Sequence, residues 1–563
     1  MNWLEKVKNF IVIRAVAIYG GCHIKKYFSQ SKKADKFSEK MLLKLLKKNK
    51  NTEFGKKYGF ADIKSVKEYQ KKVPYTSYED YQEYLDRTAE TGEQNLITSD
   101  KISFFAKTSG TTGVTKRIPV VDNSYKPYMG CVAYNYTLLL REMKRKGVIS
   151  GKGLNTTETE CTYTKGGIRE GFISSYALSS AGMVMNTICL PREIDGYGDN
   201  IDMKYIKARY SLQDAELIFL MAIFMSNLCD LMKYIFDNYQ MLINDIRTGT
   251  IDESVNLPPD LKEKLEKNLR PLPERAEQLR QIFVNEPDKG IIPKLWKNMS
   301  IIVAIGTGEF TPFTEKMKYY CGEDIAFSYG MYAASEAAVA TAFNTENKDY
   351  MLAIDGGFFE FLPIDDENAT PLLLHQLEVG KLYEIIITNR SGLYRYRIKD
   401  VVRVTGYRDK IPLIQFAYRK EQLINITGVK LTIEHITTAI KNFQKQIGVR
   451  ISDYSLYTDT DFTPWRIVAF IEFENDIPKN IESEVREFFD EELAKVNPEY
   501  GRMLKIGECS KSFVCAVKKG TYAEYRKWKV KHGASENQVK TIRFIDTKEK
   551  LEFFKSCTEH YYN

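Results

Sequence analysis

The chain has 563 residues, of which 43% are hydrophobic and 28% charged, and its net charge at pH 7 is +8. This length exceeds what one compact core holds and the composition lacks a signature of disorder, so we expect a large enzyme of several folded domains. The small net charge argues against a nucleic-acid partner, and the densest run of lysines, at Leu42–Lys57, is typical of a solvated helix face.

Cysteine and histidine usage limits both the compartment and the chemistry. Nine cysteines occur without any Cys-x-x-Cys pair, which predicts reduced thiols in a cytoplasmic protein. The five histidines show no paired spacing, so the sequence disfavours a zinc site or a Ser-His triad.

The apolar run Phe10–Cys22 near the N-terminus is consistent with a signal peptide or with a helix of the folded protein. Arg14 interrupts the run and no small-x-small cleavage site follows, which favours the helix. No run reaches the roughly 20 apolar residues of a membrane span, so we expect no transmembrane segment and leave peripheral membrane contact open. Residues 34–90 continue as a charged, helical lead-in.

A segment rich in Ser, Thr and Gly follows at Thr108–Lys116. Its glycines let backbone N–H groups approach oxyanions, its hydroxyls add donors and Lys116 supplies a cation, so it is suited to polyphosphate. It differs from the P-loop of kinases and GTPases because Thr115 stands where that pattern needs glycine. By residue type alone, an ordinary surface turn is an equally good interpretation.

The pattern then predicts a short strand at 118–121 and a helix at 125–146, and α/β folds place nucleotides where a strand loops into a helix. A mostly apolar stretch, 213–247, is predicted to be helical. We interpret its Met and Phe residues as core packing, with the lining of an acyl pocket as the alternative. Residues 255–288 are rich in proline and charge and predict an exposed helical excursion.

Two further apolar segments end in glycine or hydroxyl residues. Ile301–Gly308 predicts a buried strand that ends in two glycines, and Ile325–Glu336 predicts a second strand that leads into Tyr-Ala-Ala-Ser-Glu. Strands of this kind indicate a parallel sheet with a site at its carboxyl edge.

The cluster Gly392–Tyr407 alternates as a strand does. Alternation places Arg395 and Arg397 on one face with Lys399, and Asp400 on the other. An ordinary edge strand with a salt-bridged face is the alternative interpretation.

Beyond Arg419, short helices and strands alternate over about 140 residues, which describes a small α+β domain. We predict an α/β protein with a large N-terminal domain containing parallel sheets, residues 1–415, and a small α+β C-terminal domain, residues 416–563.

Three clusters in this order, Lys107–Lys116, Tyr332–Glu336 and Tyr394–Tyr407, resemble the nucleotide motifs of the auxin-responsive Gretchen Hagen family of acyl acid amido synthetases. That family belongs to the acyl-adenylate-forming superfamily. Asn51–Phe60 and Gly533–Lys540 also resemble family blocks, so the resemblance covers most of the chain. The middle motif has alanine where the plant proteins have a second serine, and the composition predicts a bacterial relative.

The resemblance implies an enzyme that uses ATP and Mg²⁺ to adenylate a carboxylic acid and then transfers the acyl group to an amino acid or another amine. It implies Glu336 as the Mg²⁺ ligand, and Lys540 as a catalytic lysine that reaches in from a mobile C-terminal domain. The hinge of that domain would lie at Arg419-Lys420, and Asp400 would accept hydrogen bonds from the ribose hydroxyls. The implied ATP-binding residues are Ser109, Gly110, Thr111, Thr112, Gly113, Lys116, Gly306, Thr307, Gly308, Tyr332, Ser335, Asp400 and Arg419.

Two rival functions share parts of this pattern. An acyl-CoA or aryl-CoA ligase uses the same first step with a thiol acceptor, and a regulatory relative would bind the nucleotide without catalysis. The block Gly533–Lys540 speaks against the first, and the joint presence of Glu336, Asp400 and Lys540 speaks against the second.

Overall fold

The computed structural model describes residues 3–108, 116–157, 161–180, 184–195, 197, 201–345, 347–364, 366, 369–420, 423–426, 429–531 and 539–562. The chain divides into two compact units, Met1–Ile398 with Val402–Gln415, and Lys399–Val401 with Phe416–Asn563. That the second unit moves during a reaction stays a prediction.

The first unit begins with helices, as its charged and amphipathic segments predict. Two of these helices have side-chain N-caps: the Thr52 hydroxyl accepts a hydrogen bond from the Gly55 N–H, and the Ser65 hydroxyl accepts one from the Glu68 N–H. The helices are α1 (Trp3–Gln30), α2 (Ala34–Asn49), α3 (Glu53–Lys57), α4 (Val66–Lys72), α5 (Gln82–Thr91), α6 (Asp122–Arg145), α7 (Ile173–Ser180), α8 (Met203–Leu212), α9 (Met225–Thr248), α10 (Pro259–Asn268), α11 (Pro273–Asn285), α12 (Ile292–Leu295) and α13 (Thr311–Cys321).

The strands of the first unit form three sheets. The strands are β1 (Ile102–Thr108), β2 (Lys116–Val121), β3 (Leu154–Asn155), β4 (Cys161–Tyr163), β5 (Arg169–Gly171), β6 (Phe219–Phe224), β7 (Ile301–Ile305), β8 (Ala326–Ser328), β9 (Met331–Ala333), β10 (Ala338–Ala342), β11 (Tyr350–Leu352), β12 (Phe358–Pro363), β13 (Leu372–Leu373), β14 (Leu382–Thr388), β15 (Tyr396–Arg408) and β16 (Ile411–Arg419). The orders of the three sheets are β2-β1-β5-β4, β3-β6-β7-β8 and β13-β12-β14-β15-β16-β11-β10-β9.

The N-terminal helix α1 packs along α6, which confirms the expected helix of the folded protein. The two backbones lie close together at Gly20, where a Cβ atom would lie 2.3 Å from the backbone of Ala133. The Thr137 hydroxyl donates to the Ala17 carbonyl at 2.6 Å. The sequence analysis expected no transmembrane segment, but the helical region Trp3–Asn49 is long and apolar enough to cross a membrane, judged by length and composition alone. In the structure, 33% of the most apolar 18-residue window of this region is buried inside the fold.

Replacing Gly20 with alanine is expected to lower the free energy of unfolding by about 1–3 kcal/mol, because the methyl group would overlap the α6 backbone. The neighbouring Gly21 provides a matched control, since a Cβ there would meet its nearest atom, Thr137 Cγ2, at 3.7 Å. Gly21→Ala should raise stability by about 0.5–1 kcal/mol through helix propensity. Thermal unfolding of both variants checks the pair, and equal effects would contradict the close approach of the two helices.

The sheet β3-β6-β7-β8 is parallel at every junction, which confirms the predicted parallel sheet. The helix predicted for 213–247 is wrong in its first part, because Phe219–Phe224 forms strand β6 and α9 begins only at Met225. Strand β6 lies between β3 and β7 and is almost entirely buried, so its sequence shows no alternation that would distinguish it from a buried helix.

The loop rich in Ser, Thr and Gly joins the antiparallel strands β1 and β2, whose last paired residues are Thr108 and Lys116. Strands β1 and β2 thus form a hairpin, and the strand predicted at 118–121 and the helix predicted at 125–146 are confirmed as β2 and α6. Helix α6 begins at Asp122, directly after β2.

The predicted strand around Asp400 lies inside the eight-stranded sheet, between β14 and β16, so its interpretation as an edge strand is wrong. Its simple alternation is also interrupted, because Arg395 and Lys399 have φ angles of 49° and 63°. The two helices of the 255–288 excursion are confirmed, but Leu261, Leu265 and Leu279 bury one side of them.

The second unit has the predicted α+β character. Its elements are β17 (Ile424–Ile426), β18 (Val429–Leu431), α14 (Ile433–Ile447), β19 (Ile451–Asp459), β20 (Arg466–Phe473), α15 (Val485–Val496), α16 (Pro498–Ile506), β21 (Phe513–Val517), α17 (Thr521–Lys531), α18 (Lys548–Ser556) and β22 (Thr558–Tyr562). Its four-stranded sheet has the order β19-β20-β21-β22. Residues of strand β20 alternate between the helices on its two sides: Ile467 and Ile471 pack with α14 and α15, and Phe470 packs with α17 and α18.

Candidate active site

Polar and glycine residues gather at the carboxyl edge of the parallel sheet, where β7 and β8 end. Strand β7 ends at Ile305 and leads into Gly306–Gly308, and β8 ends at Ser328 beside Gly330. The hydroxyl of Thr314, on α13, donates to the Gly306 carbonyl at 2.8 Å and fixes the first of these turns. Open α/β sheets bind their ligands at this edge.

The absence of a side chain at Gly306 serves the packing of the protein itself. A Cβ atom there would lie 2.3 Å from Thr314 Oγ1 and 3.0 Å from Met225 Cε. Protein atoms therefore fill the space that a side chain at Gly306 would take. Only its backbone remains as a surface for a base.

Tyr350 of β11 connects the two glycine-ended segments. Its hydroxyl donates to the Tyr329 carbonyl at 3.0 Å and interacts with the side chain of Thr307, while its ring centroid lies 6.3 Å from that of Tyr332. Burial raises the pKa of Tyr350, so the phenol stays neutral and acts as a donor. Sequence reasoning missed this residue, because its role depends entirely on contacts between distant segments.

Glu336 lies in a tight, partly exposed turn between β9 and β10. The turn is closed by a hydrogen bond in which the Ala334 N–H donates to the Ala337 carbonyl at 3.0 Å. The hydroxyl of buried Tyr128, on α6, donates to the Ala334 carbonyl. Burial, followed by the negative charge of Glu336, raises the pKa of Tyr128. Ser335 is also partly exposed in this turn, next to the carboxylate.

Asn389 holds the Glu336 turn from the other side. Its amide Nδ2 donates to the Glu336 carbonyl at 2.7 Å, and its Oδ1 accepts from the N–H groups of Ser391 and Leu393 at 2.9 and 3.1 Å. Asn389 is 2% exposed, so its hydrogen bonds are shielded from water. This one amide links the second predicted nucleotide motif to the segment that leads into the third.

Cations at the base of the β1–β2 hairpin are held by a carboxylate. Lys107 Nζ and Arg117 Nε lie 3.0 and 2.9 Å from the two oxygens of Glu170. Burial would raise the pKa of Glu170, but the bonds from Arg117 and Lys107 lower it, so the carboxylate stays charged. Lys116 is placed differently, with its ammonium 5.3 Å from the ring centroid of Tyr78. Among these three cations, Lys116 stands nearest the loop in sequence.

The two arginines at the start of β15 are bound into the fold. Arg395 Nε lies 3.1 Å from Glu360, and Arg397 makes a two-point pair with Glu384 at 2.8 and 2.6 Å. Both guanidinium groups also lie over the ring of Tyr75, at 4.3 and 5.8 Å from its centroid. They are therefore structural groups of the first unit.

The second unit contains three of the predicted site residues. Arg419 Nε lies 3.3 Å from Asp400 Oδ1, and the Lys420 N–H donates to the Lys399 carbonyl at 2.8 Å. The structure thus brings together the predicted ribose acceptor and the arginine of the predicted hinge.

Lys540 is exposed just before an anchored segment of the second unit. The carbonyl of Ile542 accepts from the Ser455 hydroxyl at 2.8 Å, and that of Arg543 accepts from the Leu456 N–H at 2.8 Å. Those bonds fix the chain two residues after Lys540 and leave its ammonium in solvent.

Some predicted residues lie outside the described part of the chain: Ser109, Gly110, Thr111, Thr112 and Gly113 of the hairpin loop, and residues 533–538 of the C-terminal block. Within the described residues, no group of three or more His, Cys, Asp and Glu side chains is arranged to hold a metal ion. Glu336 accordingly belongs to no such group within the described part of the chain.

Family models match the chain over three consecutive parts. The GH3 family N-terminal domain matches residues 23–325, its central domain 350–419 and its C-terminal domain 434–549. The chain belongs to the GH3 family. This confirms the resemblance drawn from the nucleotide motifs.

Relatives in the GH3 family align along nearly the whole chain. The rice jasmonoyl–L-amino acid synthetase GH3.5 is 25% identical over 542 residues, covering 90% of this chain and 91% of its own. The Arabidopsis thaliana indole-3-acetic acid-amido synthetase GH3.3 is 27% identical over 553 residues, covering 93% and 92%. The solved structure of GH3.15 acyl acid amido synthetase has a TM-score of 0.84 and 23% identity over 95% of both chains, which confirms the predicted adenylate-forming fold.

Proposed function

We propose that this GH3 family chain is an ATP-dependent acyl acid amido synthetase that joins a small, largely apolar carboxylic acid to an amino acid. The observation that carries the proposal is the set of contacts that joins the predicted nucleotide segments: Tyr350 links Thr307 to Tyr332, and Asn389 holds the Glu336 turn. The relatives support it: two amido synthetases, named for different acids, align over 90% or more of the chain.

The proposed reaction has two displacements. A carboxylate oxygen of the acid attacks the α-phosphorus of ATP, an acyl-adenylate forms and pyrophosphate leaves. The amine nitrogen then attacks the acyl carbon, AMP leaves with the electron pair of the broken C–O bond, and the amine proton passes to a base. The protein's contribution to the first step is positioning and charge neutralisation, since negative charge builds on the phosphate oxygens.

We assign the binding of ATP to the predicted residues. The hairpin loop with Lys116 would hold phosphates, the backbone of Gly306–Gly308 with Tyr332 would line the base, and Asp400 would accept from the ribose hydroxyls. Arg419, which pairs with Asp400, would orient that carboxylate.

The donor set fits Mg²⁺ that arrives with the nucleotide. Mg²⁺ is usually held by one or two carboxylates together with substrate phosphates, and the partly exposed Glu336 is one such carboxylate in a turn fixed on both sides. Bound there, the ion would neutralise phosphate charge in the first step. Glu336 would orient it, and Asn389 would keep the Glu336 turn in place.

We further propose that the protein works in the cytoplasm. All nine cysteines are free thiols, and three of them, Cys131, Cys229 and Cys321, are buried in the first unit. Free thiols on this scale are typical of a reducing compartment.

A two-stage assay tests the function. Pyrophosphate release is measured across aromatic, indolic and fatty acids, each with the 20 common amino acids, and acyl-AMP of the best acid is then offered either an amino acid or CoA. Amide formation with loss of acyl-AMP supports the proposal. Thioester formation instead would make the protein an acyl-CoA ligase, and nucleotide binding without pyrophosphate release would make it a non-catalytic relative.

Replacing Asp400 with asparagine should weaken ATP binding by about 1.5–3 kcal/mol, because one charge-assisted hydrogen bond is lost. Acid binding should change little. Asp459 provides the matched control in the same unit, since its carboxylate pairs with Arg466 at 2.9 Å in the way that Asp400 pairs with Arg419. Calorimetric titration with a non-hydrolysable ATP analogue checks both variants. An unchanged affinity in Asp400→Asn, or an equal loss in Asp459→Asn, would remove Asp400 from the ribose site.

A further inference from the structure

Helix α1 has an apolar stripe on the side that faces away from α6. Leu4, Ile11 and Ile18 recur every seven residues, which places them on one face of the helix, and their exposed fractions are 55, 58 and 64%. Ala15 and Cys22 continue the same face and are also exposed. The opposite face is buried, through Ile13, Ala17, Gly20, Ile24 and Tyr27.

Exposed apolar side chains are concentrated on this helix. Scattered exposed hydrophobic residues are normal, whereas a contiguous patch marks an interaction surface. Of the fifteen large hydrophobic side chains that are exposed in the described residues, six belong to α1: Trp3, Leu4, Phe10, Ile11, Ile18 and Tyr19. A seventh, Ile149, is adjacent, because its carbonyl accepts a hydrogen bond from Arg14 at 3.2 Å.

The positive charge of the chain is concentrated in the same region. Residues 1–50 hold 13 of the 82 Lys and Arg residues but three of the 74 Asp and Glu residues, which leaves 69 basic and 71 acidic residues in the remainder. On α1, Lys8 and Lys25 flank the stripe on its two sides, and neither forms an ion pair within the described residues. Glu5 is the one carboxylate of this helix.

The inner face of α1 is too firmly joined to the fold for the helix to cross a bilayer. Asn9 Oδ1 accepts from the Gly151 N–H at 2.9 Å, and Tyr27 donates to the buried carboxylate of Asp355 at 2.6 Å. Leaving the fold would expose these polar groups to hydrocarbon and remove the packing on α6. The helix is therefore suited to lie on a surface.

The lysines beside the apolar stripe indicate which kind of surface the helix binds. A second copy of the chain docked through the same stripe would bring Lys8 and Lys25 against the same cations of its partner, which costs free energy. An anionic bilayer complements both features, since apolar side chains enter the boundary of headgroups and acyl chains while lysine stems extend their ammonium groups to lipid phosphates.

We infer that the outward stripe of α1 docks this protein onto anionic membrane surfaces, with the helix parallel to the bilayer. This surface is separate from the proposed nucleotide site, so the inference does not depend on the proposed function. The full-length protein is tested by cosedimentation with vesicles of phosphatidylcholine, with and without phosphatidylserine. Binding is expected only with phosphatidylserine, and it should fall when salt is raised from about 0.05 to 0.5 M.

Two variants test the two features separately. Ile11→Asp should weaken binding to the anionic vesicles by roughly tenfold or more, because the stripe loses an apolar side chain that would enter the bilayer and gains a negative charge. Its control is Ile506→Asp on α16, since Ile506 is 56% exposed and Ile11 58%. The double variant Lys8→Glu with Lys25→Glu should also lose roughly tenfold or more, and its control is Lys441→Glu with Lys445→Glu on the exposed side of α14.

Both altered sites are on the surface, so circular dichroism and thermal unfolding should match those of the unaltered protein. Equal losses in a variant and its control would overturn the inference, as would absence of binding by the unaltered protein. Concentration-dependent dimers that Ile11→Asp abolishes, seen by analytical ultracentrifugation without lipid, would also overturn it and assign the stripe to a second copy.

Discussion

Replacing Lys540 with alanine is expected to slow the formation of acyl-adenylate by a factor on the order of 10²–10³, the usual cost of removing one preorganised charge stabiliser. Conversion of supplied acyl-AMP and amine to amide should remain close to the unaltered rate. The two steps separate because an ammonium group that neutralises charge on the reacting α-phosphate is needed only while the bond to that phosphorus is made.

The environment of Lys540 makes this result interpretable. Its side chain is exposed, and the chain is fixed two residues later by the Ser455 hydrogen bond to Ile542. Truncation therefore removes no packed atoms, and the free energy of unfolding should stay the same. A loss of adenylation in a protein of unchanged stability then reports on function.

Carboxylate-dependent exchange of pyrophosphate into ATP measures the first step, and single-turnover conversion of acyl-AMP measures the second. Lys548, exposed eight residues further along in the same unit, is the matched control, and Lys548→Ala should behave as the unaltered protein in both assays. Lys540→Arg keeps the charge but changes its shape, so it should recover only part of the exchange rate. An equal fall of both steps in Lys540→Ala would contradict the assigned role.

Sequence periodicity predicted the elements that bury one face. The C-terminal helix α14 has Ile436, Ile440 and Phe443 on its inner side, and its bounds, Ile433–Ile447, agree with the pattern. Strand β6 escaped prediction because it is buried on both faces. Its run of apolar residues, continuous with those of α9, carries no period of two.

The candidate site likewise contains some residues that the sequence predicts and others that it does not. A motif that is contiguous in sequence, such as Tyr332–Glu336, can be recognised from its residue types and their order. Asn389 and Tyr350 cannot be recognised in this way, because each donates to a backbone carbonyl of a distant segment, that of Glu336 or of Tyr329. Every residue has such a carbonyl, so the sequence does not indicate which one is the acceptor. Buried amides and phenols must find such partners, but only the fold determines which ones.

The arginines of the third motif show which part of an environment a sequence pattern predicts. The alternative interpretation gave Arg395 and Arg397 a salt-bridged face on an edge strand, and both do pair with carboxylates, but these carboxylates, Glu360 and Glu384, are almost fully buried inside the sheet. Those partners come from β12 and β14, which precede the motif in the chain; β14 borders β15 and β12 is the next strand beyond it, an order that exists only once the sheet has formed.

Replacing Glu336 with glutamine should lower the rate of adenylation by a factor on the order of 10²–10³ and raise the Mg²⁺ concentration needed for half of the remaining rate. Glutamine has nearly the same shape, and the Glu336 carbonyl keeps its hydrogen bond from Asn389. The variant therefore removes the charge and leaves the turn in place. Pyrophosphate exchange measured across a series of Mg²⁺ concentrations gives both quantities.

A second variant separates charge from position. Asn389→Ala keeps the Glu336 carboxylate but removes the donor to its carbonyl and the acceptor for the N–H groups of Ser391 and Leu393. Leaving these groups without a partner should lower the free energy of unfolding by about 1–3 kcal/mol and slow adenylation, with a smaller change in the Mg²⁺ requirement. Glu336→Gln should show the reverse, an altered Mg²⁺ requirement at unchanged stability. If Glu336→Gln slows the reaction without altering that requirement, the carboxylate is no ligand of the ion, and the ion must then be held by the phosphates of ATP and by groups outside the Glu336 turn.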